Sequence, residues 1–333
     1  MKVRVQGREI SNSNMLQPYR AYMELLSFGH GPQETHLQAA GFYPEKKVHS
    51  WSDTGVVARR ALIRNGQKAQ FITRVFSDLF LQPKYFLNQT ELQLELTPAL
   101  TNKFCFLSTA ADTSEYRIVL DSAKLYVKNV EVVDGLALSF AQQHLTKPVL
   151  YPLKKVDMKS LFIAAGHMEY NATLWTDLVP RRIVIGLVKT SDYAGTTYNS
   201  PFNFIHGSVQ NMTIMANGQR YSSDPFNLDF KKGRYVQMYH QMADNLGFAF
   251  TNTSNAISRE MFAEGGFCLF VFNLTSDLED SESFDYLKSG STSLNIQFAE
   301  AVETGGYTAV VYSENDSILL IDAERVVSTN LTA

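Results

Sequence analysis

Leu294-Asn295-Ile296-Gln297-Phe298 alternates apolar with polar side chains, and Leu92-Gln93-Leu94-Glu95-Leu96 does the same. Period two places Leu294, Ile296 and Phe298 on one side of an extended strand, as in an antiparallel sheet with one covered face. Each stretch is followed by a second apolar run: Tyr307-Thr308-Ala309-Val310-Val311-Tyr312 in one case, Phe104-Cys105-Phe106-Leu107 in the other. Further out, Val119-Leu120-Asp121-Ser122-Ala123-Lys124-Leu125 matches Leu320-Ile321-Asp322-Ala323-Glu324-Arg325-Val326. Upstream, the strand and turn from Val3 to Ile10 match Thr213 to Tyr221, and each pair precedes a helical pattern. The offsets are roughly 200 to 210 residues in a constant order, which marks two tandem copies of one β-domain rather than a short-period solenoid.

Composition agrees with that reading. The chain has 333 residues, 45% of them hydrophobic and 19% charged, with 22 Phe and 16 Tyr, so a large core is available and disorder is excluded. A formal charge of -3 gives no basic bias toward nucleic acid. Cys105 and Cys268 are the only cysteines, which excludes a disulfide scaffold and Cys-rich zinc motifs. The alternation from Met1 to Gly7 lacks the apolar core of a signal peptide, and no apolar run approaches the roughly 18 residues of a membrane span. Seven Asn-X-Ser/Thr sequons, at Asn88, Asn171, Asn211, Asn252, Asn273, Asn315 and Asn330, read as chance in a chain without an export signal.

Asn65-Gly66 and Asn217-Gly218 each sit between apolar runs and predict type I′ hairpin tips. Helices are predicted from Pro18-Tyr19 through Leu26 and from Tyr235 through Met242, by apolar positions at i, i+3, i+4 and i+7. Weaker helical patterns cover Leu136–His144, with Asp134 as cap, and Ala256–Ala263. The boundary between the copies falls near Asp134 to Pro152, where the weak helix and Lys147-Pro148 break the strand pattern, giving expected domains 1–140 and 141–333. The second copy has about 65 residues before its Asn-Gly turn and the first only six, so roughly 60 residues of the first domain are expected to be missing or supplied by a partner. The predicted fold is all-β: two tandem antiparallel jelly-roll sandwiches with a few short helices, the first incomplete.

Tyr151-Pro152-Leu153-Lys154-Lys155-Val156, Leu178-Val179-Pro180-Arg181-Arg182, Pro201-Phe202-Asn203-Phe204-Ile205-His206 and the Asn217-Gly218 turn form an ordered series. With Pro18-Tyr19-Arg20-Ala21-Tyr22, Asp78-Leu79-Phe80-Leu81-Gln82 and Leu120–Leu125, the chain resembles the double jelly-roll major capsid (hexon-like) proteins of Polinton/Maverick elements and adintoviruses. The departure is at the start, where the family's opening strands are absent. The resemblance implies a non-enzymatic virion protein made in the host cytoplasm or nucleus. It further implies a homotrimer that builds an icosahedral lattice and meets a minor capsid or penton protein and packaged DNA, without membrane insertion.

Enzymatic motifs are scarce. Gly-X-Ser-X-Gly, His-Glu-X-X-His and Walker A patterns are absent. His167-Met168-Glu169 has a His-X-carboxylate spacing that His206 or His240 would have to complete for a cupin-like iron or manganese centre, and a loop histidine beside a surface glutamate is the plainer reading. The acidic run Asp277–Ser283 lacks the glycine and spacing of a calcium loop and reads as solvated. Basic pairs at Lys46-Lys47, Arg59-Arg60, Lys154-Lys155, Arg181-Arg182 and Lys231-Lys232 are expected to be scattered surface charge, with contact to packaged DNA as the alternative. Phe202, Phe204, Tyr221, Phe226 and Phe230 are expected to pack in core and loops. His30 and His36 read as exposed, with an acid-driven assembly switch as the alternative, and Cys268 as a buried small hydrophobe. No catalytic, cofactor-binding or metal residue is assigned. The alternative functions are a jelly-roll binding module of lectin or cytokine type and the cupin-like enzyme.

Overall fold

The structure is a computed structural model that describes all residues except 14–15, 99–105, 109–117, 194, 222–223, 276–288 and 330–333. Among the described residues twelve strands follow in chain order: β1 Lys2–Val5, β2 Arg8–Asn12, β3 Leu92–Glu95, β4 Val149–Ile163, β5 Glu169–Trp175, β6 Arg182–Lys189, β7 Val209–Ala216, β8 Gln219–Tyr221, β9 Leu269–Asn273, β10 Thr292–Phe298, β11 Tyr307–Ile321 and β12 Val327–Thr329. Eight short α-helices accompany them among the described residues: α1 Gln17–Leu26, α2 His30–Glu34, α3 Thr54–Leu62, α4 Asp78–Leu81, α5 Asp134–Thr146, α6 Thr190–Tyr193, α7 Val236–Asn245 and α8 Arg259–Glu264.

From β4 onward the described residues fold into a sandwich of nine strands. One sheet runs β4-β11-β6-β9, with β12 extending the β6 side of β11, and the other runs β5-β10-β7-β8. All strand pairs are antiparallel, and apart from the β7-β8 and β11-β12 neighbours consecutive strands alternate between the two sheets, which is the jelly-roll connection. Its core takes Ile183, Ile185 and Leu187 from β6, Phe270 and Phe272 from β9, and Ile296 and Phe298 from β10, all almost wholly buried. The β4–β11 ladder is the longest, pairing Tyr307 with Ile163 through Ile321 with Val149.

The first copy contributes a three-stranded sheet in the order β2-β1-β3. This is the order of β8-β7-β10, so the two pairs of matched stretches occupy equivalent places, and the duplication is structural. Both hairpins close on two residues with positive φ: Gln6 (49°) with Gly7 (74°), and Asn217 (51°) with Gly218 (76°). These are type I′ dihedrals, whose twist suits adjoining strands. Val3, Val5 and Ile10 pack against Tyr151, Leu153, Leu319, Ile321 and Val327, so the outer end of the long ladder covers the small sheet.

Several expectations need correction. Asn65-Gly66 takes positive φ (58° and 69°) but follows α3 in a 3₁₀ turn, while Phe71 and Ile72 are exposed and unpaired in strands; no hairpin forms there. A left-handed pair ends a helix as readily as it turns a ribbon. The Ile118–Leu125 stretch is not a strand: Val119 and Leu120 are 68% and 75% exposed. Its counterpart at the end of β11 is flanked by β4 and β12, and among the described residues no strand flanks Ile118–Leu125. Leu320–Val326 splits into the end of β11, a turn at Asp322–Arg325 and β12. The last weak helix starts at Arg259, capped by Ser258, because Ala256 has φ 62°. The Asp134 helix runs Asp134–Thr146, with Val133 rather than Asp134 at the cap. The helices at Gln17 and Val236 match expectation, including Pro18 in the first turn. Phe104, Cys105 and Tyr116 lie outside the described residues.

Candidate functional site

Where the copies meet, α1 lays two kinds of side chain on the second sandwich. Its apolar positions enter the main core: Tyr19 stacks on Tyr193 (5.6 Å) and meets Phe202 edge-on (5.4 Å), and Tyr22 lies 4.6 Å from Phe202. Its charged positions form a buried ionic cluster. Arg20, 1% exposed, donates from Nε to Glu24 Oε1 at 2.8 Å and from Nη2 to Asp78 Oδ1 of α4 at 2.6 Å. Asp78 Oδ1 also accepts the Val156 N–H of β4 at 3.2 Å, which ties α1 and α4 to the long ladder. Burial works against the Arg20 charge, but Asp78 and Glu24 outweigh it and hold its pKa above the ordinary value. Burial raises the Asp78 and Glu24 carboxyls despite the opposing pull of Arg20. Beside them Tyr312, pushed up by burial, donates to Glu314, which also pairs with Arg182 at 3.2 Å. The i,i+4 spacing of Arg20 and Glu24 was the one sequence signal for this cluster; Asp78 comes from 58 residues away and had none.

The outer face of β5-β10-β7-β8 is polar and concave, enclosing about 630 Å³. Gln297 pairs across with Glu169 and Asn211, Asn295 with Asn171 and Thr213, and Ser293 with Thr173 and Met215. Asn295 donates to Glu169 (2.7 Å) and Asn171 (2.6 Å), and Arg220 donates to Thr213 (3.1 Å). Such a row of amides and hydroxyls can hydrogen-bond a polar ligand or a facing protein surface. Sequence reading passed over it because Asn, Thr and Ser on alternate positions look like any solvated strand face.

The histidines considered for a metal are not brought together. The His167 carbonyl accepts from Val302, Glu169 is engaged by Asn295, His206 stacks on Phe230 at 4.4 Å, and His240 is exposed on α7. Among the described residues no group of three His, Cys, Asp or Glu is placed to hold a metal ion. His206 Nδ1 accepts from the Ser208 N–H, and burial lowers its pKa, as it does for His49. His30 pairs with Glu34 at 3.2 Å and His36 is exposed. Cys268 is fully buried, and burial raises its thiol pKa. The acidic run Asp277–Ser283 lies outside the described residues.

The basic pairs are largely matched by carboxylates. Arg59 pairs with Glu45 at 2.6 Å, Lys155 with Asp157 at 3.8 Å, Lys231 with Glu300 and Lys232 with Asp229 at 3.2 Å. Arg181 and Arg182 depart from the surface expectation: both are buried and paired with Asp316 and Glu314, because β6 starts beside the β11 carboxylates. Phe204 is fully buried and Phe230 stacks between His206 and Tyr235, as the packing expectation had it. No helix among the described residues is long and apolar enough to cross a membrane.

No family model matches the chain. The uncharacterized Caenorhabditis elegans protein F54H12.2 is 29% identical over 313 residues, covering 92% of this chain and 73% of the relative. Among solved structures, PBCV-1 VP54 fitted into a reconstruction of the virophage Sputnik aligns at TM-score 0.36 and 10% identity, over 61% of this chain and 55% of that one. The mavirus major capsid protein aligns at TM-score 0.31 and 13% identity, over 56% of this chain and 42% of its own. The chain thus spans about half the length of the capsid structures to which it is similar.

Proposed function

We propose that this chain is a structural subunit of a viral shell, a major capsid protein of the hexon-like, double jelly-roll kind. The observation that carries the reading is the duplicated sheet order, β2-β1-β3 in the first copy and β8-β7-β10 in the second, beside a two-sheet jelly-roll sandwich. Two upright sandwiches in one chain, split near residue 140 into units 1–140 and 141–333, let a homotrimer imitate a hexagon and tile an icosahedral lattice. Function then resides in buried interface area rather than in a reaction, and large obligate contacts of about 2,000 Å² or more are what such a lattice needs. The Polinton/Maverick or adintovirus affinity rests on the sequence motifs from Tyr151 to Gly218. In this reading the protein resides in the virion, meets a penton or minor capsid protein at the vertices, and touches packaged DNA only through unspecific charge.

Sedimentation velocity and negative-stain electron microscopy test the proposal. Trimers that grow into closed shells are the expected result; a protein that stays monomeric at micromolar concentration and through every assembly condition would refute it. The concave amide face of β5-β10-β7-β8 favours one second reading, a carbohydrate-binding module. Saturable binding on a glycan array, abolished by Asn295→Ala, would support the module over the shell.

A further inference from the structure

Charge is not spread evenly along this chain. From Glu45 to Arg74 stand seven Lys or Arg side chains against two carboxylates, a net charge of +5 in a protein whose total is -3. Both carboxylates are engaged inside the segment. Glu45 pairs with Arg59 at 2.6 Å, and Asp53 caps α3 by accepting the Gly55 N–H at 3.0 Å and the Lys46 N–H at 2.9 Å. Lys68 meets Asp121 in an exposed pair, which contributes little. The side chains of Lys46, Lys47, Arg60, Arg64 and Arg74 are exposed and make no ion pair or hydrogen bond among the described residues.

These five cations belong to one surface lobe. The Ile72 N–H donates to Ala39 O at 2.9 Å, and Cε1 of the Phe71 ring lies 2.9 Å from where a Cβ on Gly41 would stand. The return from Arg64 to Arg74 thus lies against the segment that leads into α3. Arg59 ties α3 to the same lead-in through Tyr43 O at 2.6 Å, and the Val48 N–H bonds Gly265 O at 2.8 Å, which anchors the lobe to the second copy. Gathering like charges without counter-charges costs repulsion, and a bound polyanion relieves it. At about 0.1 M salt, exposed charges more than about 10 Å apart are largely screened, so the acidic remainder of the chain does not cancel the lobe.

We infer that this lobe binds nucleic acid through the phosphate backbone, without reading sequence. Arginine supplies three of the five free cations, and its planar fork holds a phosphate by two parallel N–H bonds. Exposed Asn65, Gln70 and Thr73 stand between Arg64 and Arg74 and add donors of the kind that meet phosphate and sugar. A membrane surface asks instead for a continuous apolar face, and Val57 is the one large apolar side chain that α3 exposes along its nine residues. The inference deepens the capsid reading, on which the choice of DNA as the polyanion rests, by giving the contact one address instead of scattered charge.

Fluorescence anisotropy of the full chain with a labelled DNA duplex of about 25 base pairs tests it, between about 50 and 200 mM salt. Five phosphate contacts predict a slope of log affinity against log salt of about -4, a loss of roughly two hundredfold across that range, equal for duplexes of unlike sequence. Arg60→Gln with Arg64→Gln and Arg74→Gln is expected to bring the slope to about -2 and to weaken binding at least about tenfold at the lowest salt. Its urea midpoint, unchanged from the parent, shows that the variant is folded. Lys231→Gln with Lys232→Gln removes cations already paired with Glu300 and Asp229, and is expected to leave the slope as it is. Absence of binding at the lowest salt would overturn the inference, as would a slope that the triple variant leaves unchanged. Binding to phosphatidylserine vesicles without binding to duplex would overturn it too, and assign the lobe to a membrane. Shell assembly is read separately by sedimentation, so shells from a protein that ignores DNA would sink this inference and leave the capsid reading standing.

Discussion

Gly186 sits in the middle of β6, where a Cβ would lie 2.3 Å from Cδ1 and 2.7 Å from Cε1 of Phe204. Phe204 is fully buried and held by Tyr19 and Tyr22, so its ring has nowhere to go. Gly186→Ala is expected to destabilise by about 1–3 kcal/mol, read as a lower urea midpoint at unchanged slope. Asp78 gives a second residue-scale test. Asp78→Ala leaves Arg20 buried with one partner instead of two, and is expected to cost about 3 kcal/mol or more. Replacing the pair together, Arg20→Met with Asp78→Leu, is expected to cost less than the single change, and a double-mutant cycle by denaturant melts checks the sign. For His206 and His49, burial lowers the folded pKa, so between that value and about 6.5 the unfolded chain holds protons that the folded chain refuses. Stability then rises with pH through that window and is lost on acidification. The raised carboxyls of Glu24 and Asp78 act in the opposite sense, so the test is a difference: His206→Gln is expected to flatten the slope of stability below about pH 6.5 relative to the parent.

At the scale of elements, the two hairpins are a matched pair. Nothing lies within 4 Å of a Cβ added at Gly7 or at Gly218, so a substitution there meets only the left-handed backbone, at φ 74° and 76°. Gly7→Ala and Gly218→Ala are each expected to cost about 1 kcal/mol, and equal costs in thermal or urea unfolding would show that both copies use the same turn. These turns, the strands at Leu92 and Leu294, and the helices at Gln17 and Val236 were legible because each carries a local code: period two, period 3.6 or a positive-φ pair. Asn65-Gly66 misled because the same dihedrals serve a helix end, and only the partner of Phe71 could tell the two apart. Ile118–Leu125 misled for a related reason: its pattern is that of a strand, but a strand exists only where a ladder accepts it. The Arg20–Asp78 pair and the amide face were illegible, since each is assembled from segments that sequence leaves far apart.

For the whole molecule, the question is whether the copies are beads on a string or one interlocked body. Tyr19, Met23, Leu26 and Val48 of the first copy belong to the main core of the second, and Val3, Val5, Ile10 and Leu79 close over Tyr151, Leu319 and Ile321. Backbone bonds add to this, from His30 N to Ser254 O at 2.6 Å and from Val48 N to Gly265 O at 2.8 Å. The covalent link between these surfaces runs through the exposed Ile118–Val133 stretch, which carries Lys124 and Lys128 in solvent. Brief trypsin treatment is therefore expected to cut at those two lysines first, because unpaired exposed backbone is what a protease can bind. The two fragments, unlike beads cut from a string, are expected to co-elute on native size exclusion. They are expected to separate only in denaturant, since the contacts that join them lie in the shared cores and not in the severed link. Fragments that part under native conditions would mean that the shared clusters contribute little, and the single interlocked body would have to be abandoned.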